Sequence, residues 1–385
     1  MGSPPLFQQL AEHRVLVVAG AGGVGKTTVA AALALAGAAQ GRRVLCLTVD
    51  PAKRLADRLG LTAASGAEQQ ADRAVFERAG LTLSGELTLV LLDTKRTFDD
   101  LIRRNAPSKE VAERVLRNEF YEYVSTQLAG TQAYMAMEKV LSVLEDARYD
   151  LIVLDTPPTS DALDFLDAPA RLVETLDSAA LRWLAETFER SGRSSFSFLA
   201  RGMALVLRAI SRLTGQGFLE RLGEFITELN QLFGGFKERA VRVARAFRGP
   251  EFAYLLVATP AQAALGEAGF FAERLRGLGL QADALVVNRV RSDVGPSPTL
   301  EELQRAVQEL GLGADPTFPA RILEAADAER LTAVGEREKL TAAFSATDSA
   351  LARIGERLFV PAFPESVHDV QALVAVTRAF LNQRP

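Results

Sequence analysis

The chain has 385 residues, with 44 Lys and Arg against 48 Asp and Glu, two His and one Cys. A single thiol, Cys46, cannot form an internal disulfide or a multi-thiolate metal site, and His13 and His368 are too far apart in sequence for a local zinc motif. The net charge of −4 lacks the basic excess of a typical nucleic-acid-binding protein. These counts argue against metal-cluster and thiol-relay chemistry, and they predict that nucleic acid is not a partner.

The sequence shows neither a membrane span nor a secretory signal. Its longest uncharged runs, such as 27–41 and 252–266, contain 15 residues. A spanning helix needs about 20. The first residues have no basic start and no long apolar stretch. We therefore expect a cytoplasmic protein without a transmembrane segment.

Short runs rich in Val, Leu and Ile predict six buried strands. In chain order these runs are 15–19, 43–49, 88–92, 151–154, 253–258 and 284–287. Helical patterns follow nearly every run, and most runs are apolar throughout rather than alternating. The sequence therefore predicts an α/β fold with a doubly wound, mostly parallel sheet that binds its ligand at the carboxyl ends of the strands.

The alternation of strand and helix stops twice, from about residue 94 to 148 and from about 170 to 248, where helical periodicity continues alone. We interpret these stretches as one helical subdomain inserted into the sheet domain. The predicted core comprises 1–92, 150–169 and 249–385, and the predicted helical subdomain comprises 93–149 and 170–248. Both insertions leave the sheet after the carboxyl end of a strand, where a ligand is expected.

The strongest motif is the run GAGGVGKT from Gly20 to Thr27, which follows the first predicted strand and opens an Ala-rich helix. It fits GxxxxGK[ST], the phosphate loop, in which backbone N–H groups and a helix amino end bind phosphate oxygens. In that motif Lys26 reaches the β- and γ-phosphates, and Thr27 gives its hydroxyl to Mg²⁺. The other predicted nucleotide contacts in this region are Gly20, Gly22, Gly23, Val24, Gly25 and Thr28.

Two aspartates follow predicted strands of the same sheet. Asp50 ends the second strand in TVDPA, where a carboxylate can orient and polarise the attacking water. Asp155 follows strand 151–154 in LIVLDTPP, the form of a Walker B strand whose carboxylate holds Mg²⁺ directly or through water. Either aspartate alone also fits a turn or a cap. Together with the loop they predict Mg²⁺-dependent nucleotide hydrolysis, with Asp50 and Lys26 as catalytic residues.

The predicted base site follows the last of the six strands. GTP-specific proteins with this loop carry Asn-Lys-x-Asp there, whereas this chain has Asn-Arg-Val-Arg at 288–291. Since the aspartate that would bind the amino edge of guanine is missing, we predict ATP. The predicted contacts are Asn288 and Arg289, with the Asn288 amide on adenine, and Pro361 and Phe363 along the ring. Alternatively, Asn288 only ends its strand.

At these residues the sequence resembles the arsenite-transporter ATPase family, which includes the ATPase for guided entry of tail-anchored proteins. The resemblance runs through almost the whole chain. Its anchors are AGGVGKTT (21–28), VDPAKRLADRLG (49–60), DTPPTSDALDFLDAP (155–169), VVNR (286–289) and VPAFPESV (360–367). The block AGTQAYMAMEK (129–139) is similar to a bacterial branch of the family, whose phosphate loop is a deviant Walker A form.

The resemblance implies a dimer with Mg²⁺-ATP at its interface, which closes on ATP and opens after hydrolysis. Asp50 would position the hydrolytic water, and residues 155–158 would form a second nucleotide switch. The helical subdomain would bind a hydrophobic client, such as a tail-anchored membrane-protein segment, in a groove whose shape follows the nucleotide state.

The chain departs from the family pattern at Ala21, where the family has a lysine that reaches the partner's phosphates across the dimer. Such a cation supplied in trans accelerates hydrolysis by about 10³ to 10⁵. Three alternatives follow. Lys53 or Arg54 replaces the lysine in a homodimer, a lysine-bearing paralogue completes a heterodimer, or the chain is a regulatory ATP-binding half that hydrolyses weakly.

The cysteine content is a second departure. Arsenite activation requires three thiolates, so the lone Cys46 disfavours the rival interpretation of an arsenite-pump or anion-pump ATPase subunit. The chain also lacks a CxxC motif, which excludes a dimer bridged by zinc in that way. Cys46 itself lies in the middle of an apolar strand and fits a small core residue.

A candidate client surface lies in the second helical stretch. Its residues Leu199, Met203, Val206, Ile210 and Leu213 are spaced 4, 3, 4 and 3 apart, which places them on one helical face. A groove for an apolar helix needs such a face, although the same stripe fits the core of the helical subdomain. The stretch 182–248 has 12 basic and 6 acidic residues. This bias suits either transient contact with an anionic membrane surface or simply solvated arginines.

Overall fold

The computed structural model describes residues 12–49, 66–127, 131–157, 159–178, 216–291, 295–312, 315, 317–346, 349–363 and 370–382. Several residues with predicted roles lie outside these ranges: Asp50, Lys53, Arg54, Leu199, Met203, Val206, Ile210 and Leu213. Their roles stay predictions.

An eight-stranded sheet forms the centre of the described structure. Its strands are β1 (Val15–Gly20), β2 (Arg43–Thr48), β3 (Glu68–Gln70), β4 (Glu86–Leu91), β5 (Leu151–Asp155), β6 (Phe252–Ala258), β7 (Ala284–Val290) and β8 (Glu356–Pro361). Their order across the sheet is β3-β4-β2-β5-β1-β6-β7-β8, and neighbouring strands are parallel except for β3 and β4. The six predicted strands and the predicted fold class are therefore confirmed.

The central strand β1 explains why the apolar runs are continuous. All six of its residues are buried, because helices cover both of its faces and β5 and β6 flank it. Val18 pairs with Asp155 of β5, and Gly20 pairs with Val257 of β6. Thr48, at the end of β2, also pairs with Asp155. The carboxyl ends of these four strands therefore meet at one edge of the sheet.

The sequence did not predict β3 and β8, the two edge strands. β3 has only the three residues EQQ, two of which are exposed. In β8, Leu358 and Val360 are buried while Phe359 between them is 40% exposed. An edge strand has a neighbour on one side only and is covered less completely, so it lacks the continuous apolar run that marks the inner strands.

Helices cover both faces of the sheet. In chain order they are α1 (Lys26–Ala39), α2 (Arg73–Arg78), α3 (Thr94–Asn105), α4 (Lys109–Arg117), α5 (Glu119–Gln127), α6 (Thr131–Asp146), α7 (Thr159–Leu176), α8 (Gln216–Ala246), α9 (Gln262–Gly277), α10 (Leu300–Glu309), α11 (Phe318–Ser345) and α12 (Val370–Asn382). Leu16 and Val18 of β1 belong to a core cluster with α1 and α12. Val15 and Val17, on the opposite face, belong to a cluster with α3, α6, α8 and α9. None of the helices in the described ranges is long and apolar enough to cross a membrane.

Two intervals without predicted strands contain helices, as expected. Helices α3 to α6 lie between β4 and β5, while α7 and α8 lie in the described part of the interval between β5 and β6. Arg239 of α8 joins α8 to α6, because its Nε donates to Glu138 at 2.8 and 2.9 Å and its Nη1 donates to Glu145 at the same distances. The Glu138 and Arg239 side chains are only 4% and 10% exposed. Separating two charges at this depth is strongly unfavourable, so the pair fixes how α6 and α8 pack.

Candidate nucleotide-binding site

The phosphate loop turns sharply between the end of β1 and the start of α1. Gly25, the residue before α1, has a φ of 97°, in the left-handed region that favours glycine. A Cβ on Gly25 would lie 2.3 Å from Nδ2 of Asn288, and a Cβ on Gly20 would lie 2.2 Å from the carbonyl oxygen of Val257. The loop therefore passes too close to β6 and β7 for any larger residue at these two positions.

The amino end of α1 provides the positive end of the site. Lys26, Thr27 and Thr28 are its first residues, and no acidic residue lies in the first turn. The first N–H groups of a helix have no partner within the helix, and they place about half a positive charge at this end. Gly22 and Gly23 of the loop are exposed beside it. This arrangement is suited to binding an anion such as a phosphate.

Lys26 lies along the loop with its side chain largely buried. Its Nζ donates to the carbonyl oxygen of Ala21 at 2.8 Å, and the residue is 8% exposed. The ammonium group is thereby held next to the loop backbone rather than extended into solvent. Ala21 itself is 6% exposed and belongs to the core cluster with α1.

Asp155 lies at the end of β5 and pairs with Val18 of β1, the strand that leads into the loop. It is 1% exposed, and its Oδ2 accepts a hydrogen bond from Oγ1 of Thr48 at 3.0 Å. The next residue, Thr156, donates from Oγ1 to the carbonyl of Val18 at 2.8 Å, which attaches the strand end to β1. The oxygen donors of Thr27 and Asp155 are the hard ligands that Mg²⁺ prefers, so this donor set fits the predicted ion.

Cys46 lies within the same sheet, in strand β2, as its apolar surroundings in the sequence predict. It is completely buried in the core cluster with α1. Burial, and then the charge of Asp155, raise the pKa of its thiol well above the ordinary value. The thiol therefore stays protonated and inaccessible, which fits a core residue and not a reactive one.

The predicted base residues lie at the carboxyl ends of β7 and β8. Nδ2 of Asn288 donates to the carbonyl of Val24 at 2.8 Å, and its Oδ1 accepts from the backbone N–H of Arg289 at 3.0 Å. Arg289 has a φ of 60° where the pairing of β7 with β8 shifts register. Left-handed backbone in a residue other than glycine is strained, and such positions concentrate at functional sites.

The other two predicted base contacts are the last residue of β8, Pro361, and Phe363 two residues beyond it. Pro361 pairs with Val290, and Phe363 is partly buried against the core cluster with α1. The structure thus places Asn288 and Arg289 near Pro361, while Asn288 is the member that contacts the phosphate loop. The predicted contact between its amide and adenine stays a prediction.

Two further residues at this edge of the sheet contact the site but were not predicted from the sequence. Thr48 was read only as part of a strand, although its hydroxyl contacts the Asp155 carboxylate. Gln132 lay in a block with no assigned role, although its Nε2 donates to the carbonyl of Val49 at 3.0 Å. A polar residue at the end of an apolar strand was the available signal for Thr48, whereas nothing in the sequence indicated the contact of Gln132.

The chain is similar in sequence to a family of known ATPases. Residues 13–310 match the sequence profile of a family described as Anion-transporting ATPase. The chain is similar to "ATPase GET3" of Phaeosphaeria nodorum, with 27% identity over 256 residues that cover 64% of this chain and 72% of that protein. It is also similar to "ATPase get3" of Aspergillus terreus, with 28% identity over 234 residues that cover 60% of this chain and 64% of that protein.

A further relative comes from Halobacterium salinarum, and its name suggests an arsenical pump-driving ATPase. Identity is 32% over 206 residues, which cover 49% of this chain and 30% of that protein. The chain therefore spans less than two thirds of the length of the Halobacterium and Aspergillus relatives.

The contact between Thr48 and Asp155 gives a testable prediction. Thr48→Val keeps the shape of the side chain but removes the donor that orients the carboxylate, while Thr48→Ser keeps the hydroxyl. We expect Thr48→Val to raise the Mg²⁺ concentration needed for half-maximal binding of a fluorescent, non-hydrolysable ATP analogue by about 10-fold or more. We expect Thr48→Ser to resemble the natural chain. Equal Mg²⁺ dependence of the two variants would show that the hydroxyl does not orient Asp155.

Proposed function

This chain belongs to the anion-transporting ATPase family, and we propose that it hydrolyses ATP with Mg²⁺ and couples its nucleotide state to binding of a hydrophobic protein segment. One observation carries the proposal. The phosphate loop leads into the amino end of α1 at the same edge of the sheet as the buried carboxylate of Asp155, which accepts a hydrogen bond from Thr48. This is the combination of anion cradle and metal-binding carboxylate that phosphoryl transfer requires.

The loop residues bind and orient the triphosphate in this proposal. The N–H groups from Gly22 to Thr28 surround the phosphate oxygens, and Lys26 turns from the Ala21 carbonyl towards the β- and γ-phosphates. Thr27 and Asp155 hold Mg²⁺, which neutralises charge on the phosphate oxygens when it is bound. Asp50, which follows Val49 in the sequence, orients the attacking water.

We propose ATP as the nucleotide because residues 288–291 lack the aspartate that selects guanine. Asn288, Arg289, Pro361 and Phe363 form the base side of the site. The bond from Asn288 to Val24 supports this assignment, since it attaches the end of β7 to the loop that binds the phosphates. The strained backbone of Arg289 supports it as well.

The client part of the proposal is supported by the GET3 relatives and by the sequence pattern. Residues 93–149 and 170–248 form the helical subdomain in this proposal, and the stripe from Leu199 to Leu213 is the surface for a hydrophobic helix. The described helices α3 to α6 and α8 fall within these ranges. An apolar groove of this type binds an amphipathic or fully apolar helix by burial of its side chains.

The assembly we propose is a dimer, with two alternatives for its composition. Ala21 has no cation to offer, and its side chain is buried in the core of its own chain. A homodimer therefore needs Lys53 or Arg54 in that role, whereas a heterodimer obtains the cation from a lysine-bearing paralogue. If neither cation reaches the site, the chain acts as a weakly hydrolysing, regulatory ATP-binding half.

The arsenite-pump alternative rests on the name of the Halobacterium relative. Cys46 is the only cysteine and is completely buried. A single protonated core thiol does not provide the three thiolates that arsenite activation requires, so we favour the client-binding function.

The ATPase proposal predicts hydrolysis that depends on Mg²⁺ and on Asp50. We expect Asp50→Asn to bind ATP but to release phosphate at least about 100-fold more slowly, because the water loses its orienting base. The measurement is phosphate release by the purified chain with Mg²⁺, with chelator in place of Mg²⁺, and with a lysine-bearing paralogue.

Phosphate release under these three conditions distinguishes the alternatives for the composition of the dimer. A rate that rises only with the paralogue identifies a heterodimer, and full activity of the chain alone contradicts that idea. If Asp50→Asn is as active as the natural chain, the assigned role of Asp50 is wrong.

The client proposal predicts that polar substitutions in the stripe from Leu199 to Leu213 abolish client binding without unfolding the protein. We expect Met203→Gln with Val206→Gln to leave the melting temperature unchanged but to abolish ATP-dependent crosslinking to a hydrophobic transmembrane segment, because both substitutions add polar groups to the apolar surface. Arg208→Gln, outside the predicted stripe, is the control. If the double variant unfolds instead, the stripe is core and not a client surface.

A further inference from the structure

Two hydrogen bonds connect the backbone of Asp155, the predicted metal ligand, to helix α6. The backbone N–H of Val49 donates to the carbonyl of Asp155 at 3.3 Å, just beyond the end of β2. The carbonyl of the same residue accepts the hydrogen bond from Nε2 of Gln132 at 3.0 Å. Gln132 is the second residue of α6 and lies 83 positions away in the sequence. Helix α6 is therefore connected to Asp155 through one residue.

Val49 lies where the regular ladder stops. The pairing of β2 with β4 ends at Thr48 and Leu91, and the last backbone bond there joins Leu92 N–H to the Thr48 carbonyl. Val49 is one residue further on and is 2% exposed, and its carbonyl accepts a hydrogen bond from a glutamine side chain instead of from a strand neighbour. A buried carbonyl needs a hydrogen-bond donor, so the bond from Gln132 holds the chain in position just beyond the end of β2.

The helix that carries Gln132 is suited to transmit a displacement. Within α6 the buried residues are Tyr134, Met135, Ala136, Met137, Glu138, Val140, Leu141, Ser142, Val143 and Leu144. Such dense packing resists local distortion, so a shift at its amino end moves the helix as a body. Glu138 follows Gln132 by six residues, a distance of about 9 Å along the axis at 1.5 Å per residue.

The far end of this path is the buried pair of Glu138 with Arg239 of α8. We call this contact between α6 and α8 the joint. It also contains two buried polar atoms, Oη of Tyr134 and Nη2 of Arg239, that have no hydrogen-bond partner among the described residues. A buried polar network that is only partly satisfied can gain hydrogen bonds when its members shift. The joint between α6 and α8 is therefore able to respond to a displacement of α6.

We propose that Gln132 is a positioning residue of the ATPase site, which ties the strand end beside Asp155 to α6 and so transmits nucleotide binding to α8. This inference rests on the proposed function, because it presumes that Mg²⁺ and nucleotide bind beside Asp155. It gives the block 129–139 a role, since that block supplies both Gln132 and Glu138. Gln132 acts through the backbone of Val49 and Asp155 and does not itself contact the nucleotide.

The experiment uses the full chain and the variant Gln132→Met, which keeps the length of the side chain but cannot donate to Val49. Gln262→Met is the matched control, because Gln262, like Gln132, is an exposed glutamine at the amino end of a helix. Hydrogen exchange of the α8 amides is compared with and without Mg²⁺ and adenylyl imidodiphosphate. The kcat and KM for ATP are measured on the same preparations.

We expect Mg²⁺ and the nucleotide analogue to change α8 exchange in the natural chain and in Gln262→Met. In Gln132→Met most of this change should be lost, and kcat should fall about 10-fold while KM is kept, as for a residue that positions a metal-binding group. The inference is overturned if Gln132→Met keeps the exchange response. It is also overturned if the variant no longer binds nucleotide, since Gln132 would then be a general structural support.

The outcome for the natural chain separates this inference from the proposed function. If the chain hydrolyses ATP but α8 exchange does not respond to nucleotide, transmission through Gln132 is wrong while the ATPase proposal stands. If the chain neither binds nor hydrolyses ATP, the proposed function itself is wrong.

Discussion

The close approach between the phosphate loop and Asn288 is the contact on which the rest of the site depends. The Asn288 amide nitrogen donates to the Val24 carbonyl at 2.8 Å and would lie 2.3 Å from any Cβ at Gly25. Glycine at this position lets the chain take its left-handed turn directly into α1. This turn places Lys26 and Thr27 at the amino end of the helix, where an anion is best stabilised.

The parallel sheet brings the remaining groups to the same edge. β1 lies between β5 and β6, so the loop, Asp155 and the end of β6 are neighbours in space although they are far apart in sequence. Thr48 and Val49 of the adjacent strand end then hold Asp155 through a side chain and a backbone bond. In the proposed function this edge senses the nucleotide, and α6 with its buried ion pair to α8 carries the response towards the client.

The parts of the fold that the sequence predicted are those encoded in contiguous residues. The inner strands are continuous apolar runs, and the loop is a contiguous motif between strand and helix, so both can be located from the sequence alone. The edge strands β3 and β8 were missed because partly exposed strands carry no such run. A helical insertion was predicted as well, but periodicity does not reveal which of its helices contact one another.

The contacts that build the site could not be predicted in the same way. The bonds from Thr48 to Asp155, from Asn288 to Val24 and from Gln132 to Val49 join residues 107, 264 and 83 positions apart. No local pattern encodes such pairs, since each depends on the order and register of the strands. Asn288 illustrates the difference, because its position at a strand end was predicted while its bond to the loop was not.

The central claim is that the loop from Gly20 to Thr27 binds the phosphates of ATP. The most direct test is a calorimetric titration of the protein with a non-hydrolysable ATP analogue in the presence of Mg²⁺. The account predicts saturable binding to the natural chain and to Gly266→Ala, where an added Cβ meets nothing within 4 Å. It predicts that Gly25→Ala, which forces a Cβ against Asn288 in a left-handed turn, loses at least about 100-fold in affinity. Binding to Gly25→Ala that matches the natural chain, or no binding to the natural chain, would contradict the account.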